Sequence, residues 1–479
     1  MMIGNDVNVI LPELVIAGVA MAVLMWGVFA KREIGAQALW LVSLLFIGIG
    51  AWIALTGRGS DTAFGGMFVS DAFGRFAKIT MLWSGAAVLL LSQPYLTRVK
   101  LMKFEFPVLV ALAMIGMMMM VSAGNMMSLY MGLELQSLAL YVIAAFNRDS
   151  VRSSEAGLKY FVLGALSSGL LLYGMSLVYG YTGSTGFADI TDVIKAEGLP
   201  VGAVVGLVFM VSGMAFKVSA APFHMWTPDV YEGSPTPVTA LFATAPKMAA
   251  AAMITRILFD AFGGVVSDWQ QILALLALLS MFVGAIAAIG QTNIKRLMAY
   301  SSIGHMGFAI MGLAAGSESG VQNMLIYMVV YVATNIGVFT FILNMEKDGR
   351  PVTDISALSL YSRVAPGRAL ALMVLMFSLA GIPPLVGFFA KLYVLQAAFD
   401  AGLAWLAIAG VIASVISAFY YLRIIYLMYF GEPVDALNGK MPMLHMGLLA
   451  ASAGAMVFGI INMFGVEGFA AHAAQALLG

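Results

Sequence analysis

Cysteine is missing from all 479 residues of the chain. Its absence excludes disulfides, zinc–thiolate sites and cysteine-ligated iron–sulfur clusters. Charged residues are also scarce, at 10% of the chain against about a quarter in an average soluble domain. Lys and Arg together number 24, as do Asp and Glu, so the net charge gives no reason to expect a nucleic-acid partner.

Apolar residues dominate what is present. They make up 62% of the chain, and the mean hydropathy is +0.96. This composition excludes a soluble enzyme and a disordered scaffold, and it predicts a chain solvated mainly by the lipid bilayer. The sequence has no G-x-G-x-x-G, Walker loop or nucleophile elbow, and its four histidines are scattered. We therefore predict no NADH, ATP, flavin or metal site in this chain.

Fourteen apolar stretches are long enough for membrane-spanning helices, which need about 20 residues each. The predicted fold is an all-α polytopic membrane protein. Asp6 and Glu13 replace the basic n-region of a signal peptide, so the first stretch is expected to be a retained span. The stretches are 9–30, 36–56, 69–93, 104–122, 126–146, 156–180, 200–221, 236–260, 269–290, 297–316, 321–345, 368–398, 402–422 and 443–466.

The distribution of positive charge predicts the orientation. Fifteen of the 24 cations fall in loops after odd-numbered spans, and only Arg58 and Lys195 in loops after even-numbered ones. The odd loops are therefore expected to face the cytoplasm, and both termini the periplasm. Arg75, Lys78 and Arg256 lie near span ends and are expected to extend to the interface.

Six titratable side chains lie inside predicted spans. Each charge at the bilayer centre costs about 3 kcal/mol, so such groups usually face the protein interior and mark ion or proton paths. Lysine and histidine can both release a proton, whereas arginine cannot, and no arginine is predicted in mid-span. The set is Glu134, the only acid among them, with Lys159, Lys217, Lys247, His305 and Lys391.

Simpler interpretations exist for single members of this set. A lone lysine could be a paired structural ion, and Glu134 with Lys159 could pin two helices together. His305 alone is more often a satisfied core histidine. Asp229 and Glu232, in the loop after the seventh span, are expected to be solvated. Six such groups in six spans nevertheless favour a chain of proton sites.

Proline and glycine predict breaks in two spans. Pro222 interrupts the end of span seven, and Gly381, Pro383 and Pro384 interrupt span twelve. Broken helices at membrane depth flank the ion site in many transporters. The breaks lie five spans apart, which predicts two inverted five-span units, although two unrelated kinks remain the alternative. The predicted organisation is an N-terminal three-helix segment (1–103), the units 104–262 and 263–430, and a C-terminal helix (431–479).

Long motifs surround these groups. AFKVSAAPFHMWTPDVYEGSPTPVTALFATAPK, at 215–247, resembles the signature of the antiporter-like membrane subunits of respiratory complex I. Four further motifs resemble sequences of the same family: LYMGLELQSLALYVIAAF, EAGLKYFVLGALSSGLLLYG, NIKRLMAYSSIGHMGF and GIPPLVGFFAKLYVL. The resemblance covers essentially the whole chain. It implies fourteen spans with two inverted units, in one of three related proton-translocating modules.

The resemblance also implies roles for the site residues. Glu134 and Lys217 would be the charge pair of the first half-channel, and Lys159 would modulate it. Lys247 would link this pair toward the centre, and His305 would continue the axis.

At the distal end, the resemblance implies that Lys391 gates the exit; one sister subunit typically has glutamate there. Another sister carries a long lateral helix, for which this sequence leaves no room. FMN, iron–sulfur clusters and quinone are expected in partner subunits, and the partners would include other membrane subunits and a sister antiporter-like subunit. A bacterial inner membrane is the expected location.

Two other functions fit the same motifs. The first is a subunit of a multi-subunit Na⁺/H⁺ antiporter, which would exchange ions without NADH or quinone. The second is a passive scaffold in which the titratable groups are relics.

Overall fold

Helices form most of the chain in the computed structural model, which describes residues 2–435 and 437–478. Two short antiparallel hairpins lie between them: β1 (Asp61–Ala63) with β2 (Phe68–Ser70), and β3 (Glu346–Lys347) with β4 (Arg350–Pro351). The helices are α1 (Met2–Val9), α2 (Leu11–Phe29), α3 (Gly35–Thr56), α4 (Ala72–Arg98), α5 (Glu105–Val121), α6 (Met126–Ala144), α7 (Val151–Thr182), α8 (Phe187–Glu197), α9 (Val201–Val218), α10 (Trp226–Gly233), α11 (Thr236–Phe242), α12 (Ala245–Asp260), α13 (Val266–Ile289), α14 (Ile294–Ala314), α15 (Glu318–Leu343), α16 (Tyr361–Val364), α17 (Pro366–Ala380), α18 (Val386–Asp400), α19 (Ala404–Phe430), α20 (Met443–Phe458) and α21 (Val466–Leu478).

Membrane-crossing segments account for most of these helices. Among the described residues, eleven helical segments are long and apolar enough to cross, or twelve if α20 and the segment after it form one bent span. The chain is thus an all-helical polytopic membrane protein. Each of the fourteen predicted stretches contains a helix, but α5 has 17 residues, α17 and α18 have 15 each, and α20 meets the next segment at 111°. The count of fourteen crossings stays a prediction.

The centre of the bundle consists of α12, α14 and α15. Nearly every side chain of α12 and α14 is buried, which is unusual for a helix that could face lipid. The outer helices α2, α3, α7 and α19 instead expose apolar side chains, such as Phe29, Leu166 and Phe419. Helices with no lipid contact can carry polar groups, because protein surrounds those groups on every side.

Glycine allows two pairs of neighbouring helices to approach closely. A Cβ on Gly116 of α5 would lie 2.4 Å from the backbone nitrogen of Gln136 in α6. A Cβ on Gly284 of α13 would likewise lie 2.4 Å from the nitrogen of Gly304 in α14. Small residues at such crossings let backbones pack directly, which is how membrane helices commonly associate.

Two helices stop at the predicted positions of the breaks. Seven residues that include Pro222 separate α9 from α10, and five that include Gly381, Pro383 and Pro384 separate α17 from α18. The residue after each first half, Ser219 or Gly381, is left-handed, with φ of 65° or 81°. Such a residue commonly ends a helix, because it turns the chain out of the helical path.

Two cations expected at the interface are instead buried in ion pairs. Arg256 lies within α12 and contacts Asp71 at 2.8 Å and Asp260 at 3.0 Å. Lys78 of α4 lies 2.6 Å from Glu13 of α2, and both side chains are only 5% exposed. The predicted extension of these cations to the interface is therefore wrong, because each has a carboxylate from a distant part of the chain. Glu134 is also not the only acid inside the bundle.

Candidate functional site

Lys217 lies in the last turn of α9, facing α6 and α7. Its Nζ donates to the hydroxyls of Ser137 (2.9 Å), Tyr141 (3.4 Å) and Ser168 (3.5 Å). Glu134 lies one turn before Ser137 on α6, and its buried Oε1 has no hydrogen-bond partner among the described residues. In this conformation the ammonium is held by hydroxyl groups, and the carboxylate is nearby on the same helix face.

Lys247, buried on α12, binds the end of α9. Its Nζ donates to the Val218 carbonyl at 3.0 Å and to Ser219 Oγ at 2.5 Å. Thr227 Oγ1 donates to the same Ser219 oxygen at 2.7 Å. The last carbonyls of a helix have no intrahelical donor and carry the negative end of its dipole, so a cation is favoured there.

His305 lies on α14 with both ring nitrogens in contact with tyrosine. Its Nδ1 is 2.6 Å from the Tyr327 hydroxyl and its Nε2 is 3.0 Å from the Tyr421 hydroxyl. Tyr421 also contacts Ser301 Oγ at 2.5 Å. An imidazole with a hydroxyl at each nitrogen can accept a proton at one and release a proton at the other.

Lys391 of α18 folds back across the second break. Its Nζ donates to the Leu379 and Ala380 carbonyls, at 2.8 and 3.0 Å, and to Ser414 Oγ at 3.1 Å. Gly381 leaves the necessary space, since a Cβ there would lie 2.9 Å from Lys391 Cδ. The end of α17 is therefore held by a lysine in the same way as the end of α9.

A small cavity connects His305 with Lys391. Its volume is about 10 Å³, and Tyr327, Tyr331 and Thr334 also line it. This is roughly the smallest space that holds one water molecule, but the surface that faces it is apolar, so a water there needs a side-chain movement to find hydrogen-bond partners. The cavity gives the two residues a common contact point in the second half of the molecule.

Lys159 lies inside a membrane-spanning helix as predicted, but it is partly exposed and forms ion pairs with carboxylates other than Glu134. It lies near the start of α7, its side chain is 41% exposed, and it pairs with Glu155 at 2.7 Å and Asp229 at 2.8 Å. Asp229 also contacts Arg296 at 2.6 Å, so this carboxylate is not simply solvated. Lys159 does not pair with Glu134, because Glu155 and Asp229 both lie within ion-pair distance of it.

These charges surround an open charged cavity of about 200 Å³. Glu232, also expected to be solvated, contacts Arg296 there at 3.1 Å. The charged cavity is lined by Arg152, Glu155, Lys159, Asp229, Glu232 and Arg296, together with Ala156 and Gly233.

One functional candidate escaped the sequence analysis. Lys295, assigned to a loop, lies in the first turn of α14 and is 4% exposed. Its Nζ donates to the Glu232 carbonyl at 2.9 Å and the Ser234 carbonyl at 2.6 Å. The sequence contained one indication of this position. Asn293 is a typical helix-capping residue, and a cap at 293 places Lys295 inside the helix rather than in the loop before it.

The predicted residues fall into separate clusters. Lys217 and Lys247 flank the end of α9, while His305 and Lys391 share the small cavity. Among the hydrogen bonds of residues 2–435 and 437–478, none joins the clusters of Lys217, Lys247, His305 and Lys391 directly. Each cluster can hold a proton, and transfer between clusters requires water or side-chain movement.

Comparison with known proteins is consistent along the whole chain. The family described as NADH:quinone oxidoreductase/Mrp antiporter, TM, matches residues 123–417. "NADH-quinone oxidoreductase subunit N" of Jannaschia sp. (strain CCS1) is 61% identical over 100% of both chains. The protein of the same name from Rhodobacter capsulatus is 59% identical over 99% of both.

Solved structures share the architecture. A chain of respiratory complex I from Thermus thermophilus with bound aureothin has a TM-score of 0.83 at 30% identity, covering 96% of this chain and 99% of that one. A chain of the Mrp complex from Dietzia sp. DQ12-45-1b also has 0.83, over 98% of this chain and 99% of that one. Its identity is 20%, so it shows the fold alone.

The chain therefore belongs to the NADH:quinone oxidoreductase/Mrp antiporter transmembrane family and is an integral membrane protein. Within that family, its full-length relatives at 59–61% identity are subunit N of NADH-quinone oxidoreductase.

Proposed function

We propose that this chain is a membrane-arm subunit of NADH:quinone oxidoreductase that moves protons across the membrane. The energy comes from NADH oxidation and quinone reduction in other subunits. Full-length relatives named subunit N support this assignment. The observation that carries the proton function is the placement of Lys217, Lys247, His305 and Lys391 inside the bundle at two interrupted helices.

The proposed transfer begins at Glu134 and Lys217. A change that brings the carboxylate toward the ammonium favours the charged lysine, and separation favours release of its proton. Three hydroxyls already surround Lys217 and can accept or pass a proton. Lys247, at the adjacent helix end, is the next acceptor.

The second half of the proposed path runs from His305 to Lys391. The small cavity between them would carry the proton only after a side-chain movement turns polar atoms toward it and admits a water. Lys391 then controls release on the opposite side. Lys159 acts from the charged cavity, where its pairing with Asp229 sets the local charge at a distance from the path.

The proposed topology has fourteen spans with both termini in the periplasm of a bacterial inner membrane. The helices α5–α12 would form one five-span unit and α13–α19 its inverted counterpart. Two matching features support this: a glycine crossing between the first two helices of each unit, and a lysine bound to the end of each interrupted helix. The three-helix segment before these units and the C-terminal α20 complete the proposed arrangement.

No redox step is assigned to this chain. FMN, iron–sulfur clusters and quinone would belong to partner subunits, and a sister antiporter-like subunit would be a neighbour in the membrane. The chain's own contribution would be proton movement, as a non-redox part of the translocase.

Replacing Lys217 with Ala tests the proposed function. The variant keeps the three hydroxyls but loses the group that carries the proton, so NADH-driven proton pumping should fall about tenfold or more. Pumping is measured in inverted membrane vesicles that contain the assembled complex. Lys195→Ala, on the exposed side of α8, is the matched control and should pump normally. Normal pumping by an assembled Lys217→Ala complex would contradict the proposal.

A cation/proton antiporter subunit is the second candidate, because the matching family includes Mrp antiporters. Sodium–proton exchange by the purified assembly without NADH or quinone would favour it. Dependence of proton movement on NADH would favour the first proposal.

A further inference from the structure

A buried lysine outside the predicted path lies between the charged cavity and His305. Lys295 binds two backbone carbonyls and forms no ion pair with a carboxylate among the described residues. One of those carbonyls belongs to Glu232, whose side chain lines the charged cavity. Lys295 is therefore separated from an open, charged space by a single residue.

Hydroxyl groups continue from Lys295 toward the centre. Tyr231 and Ser234, at the end of α10, are almost completely buried, and their hydroxyl oxygens have no hydrogen-bond partner among the described residues. A buried hydroxyl without a partner is costly, so two of them in the segment whose carbonyls bind Lys295 require an explanation. The helix of Tyr231, α10, packs against α14, where the hydroxyl of Ser302 receives a hydrogen bond from Tyr331 at 2.8 Å.

The line of groups ends at the small cavity. Tyr331 lines that cavity, and its ring centroid is 5.3 Å from that of His305. Lys295, Ser302 and His305 are seven and three residues apart, which places them on one face of α14 over about 15 Å. Tyr231 and Tyr331 pack against this face from α10 and α15.

We propose that Lys295 is a second point of proton uptake, which supplies His305 from the charged cavity without passing Lys217 or Lys247, and that turnover requires both inputs. The Lys295 ammonium releases a proton and becomes a neutral amine. The hydroxyls of Tyr231, Ser302 and Tyr331 each accept one proton on oxygen and release their own. Tyr331 and Ser302 are already hydrogen-bonded, and water or side-chain movement has to bridge the steps from Lys295 to Tyr231, from Tyr231 to Ser302 and from Tyr331 to His305. His305 takes up the proton and becomes an imidazolium, and Lys295 is reprotonated from the charged cavity.

This inference rests on the proposed proton function and adds a separate input for the second half of the molecule. A purely structural Lys295 would only bind the end of α10. The two roles differ in what they require, because arginine keeps the cation and its donors but cannot release a proton.

Lys295→Arg in the assembled complex tests the proposal. We expect normal assembly and a fall of about tenfold or more in NADH-driven proton pumping in inverted vesicles. Unchanged pumping by an assembled Lys295→Arg complex would overturn the proposal, because a structural role alone would be satisfied by arginine.

Tyr231→Phe removes one hydroxyl of the proposed transfer path without changing the charge. If the Lys295→Arg complex does not assemble, this variant tests whether Lys295 supplies protons to His305. Pumping should fall as for Lys295→Arg, whereas Tyr361→Phe, a buried tyrosine packed on Phe341, should pump normally. Normal pumping by Tyr231→Phe would overturn the proposal. The parallel Lys217→Ala variant separates the two claims: if it too pumps normally, the proposed function fails, and if it alone is impaired, only the second uptake point fails.

Discussion

At the scale of single residues, buried cations bind the ends of helices. Arg256 Nε donates to the Val121 carbonyl at the end of α5, and Arg423 donates to the Ile289 carbonyl at the end of α13, both at 2.7 Å. Lys247 and Lys391 bind the ends of the interrupted helices α9 and α17. Arginine thus holds continuous helices permanently, whereas lysine, which can lose its charge, holds the interrupted ones.

Arg256→Met should destabilise the protein. It leaves the Asp71 carboxylate buried without its partner, and breaking a buried pair in this way costs about 3–5 kcal/mol. Thermal unfolding of the detergent-solubilised complex and its yield are the measurements. Lys347→Met, which removes an exposed partner of Asp435, is the control and should unfold like the wild type. Equal stability of the two variants would contradict the structural role of Arg256.

At the scale of helices, the interruption of α17 and α18 depends on a glycine with two functions. Gly381 has a positive φ, which L-residues adopt with strain, and its missing Cβ leaves space for Lys391. Ser219 has the corresponding position after α9, with a positive φ although it is not glycine, and its hydroxyl binds Lys247. The two breaks therefore position a lysine in different ways: a hydroxyl binds Lys247 at the first, and a missing side chain leaves space for Lys391 at the second.

Gly381→Ala should impair proton pumping by displacing Lys391. Gly402→Ala is a close control, because Gly402 has φ of 80° against 81° for Gly381 but no atom within 4 Å of the added Cβ. Both variants carry a similar backbone strain of about 1–3 kcal/mol. Pumping per NADH oxidised in vesicles should fall only for Gly381→Ala. Equal activities of the two variants would show that the space around Lys391 is unimportant.

Helix positions were largely predictable because long apolar runs and prolines determine them locally. The predicted interruptions agree with the ends of α9 and α17, as Pro222 and Pro384 lack a donor for the helical pattern. The bend after α20 was not predictable. Met463 and Phe464 have positive φ there, and nothing in their residue types indicates a left-handed backbone.

At the scale of the whole molecule, pairing between distant segments decides where charges lie. Asp71 and Arg256 are 185 residues apart, so no local pattern could reveal their contact. The contact between Lys159 and Asp229 was not predictable for the same reason, because each residue was interpreted from its own segment of the sequence. The buried positions of Lys247, His305 and Lys391, in contrast, were predictable, because an isolated charge in a long apolar run requires burial.

The absence of cysteine makes the proposed orientation directly testable. Arg350→Cys and Ser60→Cys each introduce one exposed thiol, at opposite ends of the predicted spans. A thiol reagent that cannot cross membranes should label position 350 only from the cytoplasmic side and position 60 only from the periplasmic side. Labelling is measured on intact spheroplasts and on inverted vesicles. Reaction of both positions from one side would contradict the predicted span count between them.

The charge of Lys391 determines how many hydrogen bonds it can donate at the interruption between α17 and α18. An ammonium has three N–H groups, and the Leu379 carbonyl, the Ala380 carbonyl and Ser414 use all three. A neutral amine has only two, so loss of one proton breaks one of these three hydrogen bonds, and among the described residues only the Ala380 carbonyl has a second donor, Ser414 Oγ at 3.4 Å. If Lys391 exchanges a proton as proposed, every change of its charge rearranges the hydrogen bonds at the last turn of a half-helix, so the electrical change is coupled to a structural one.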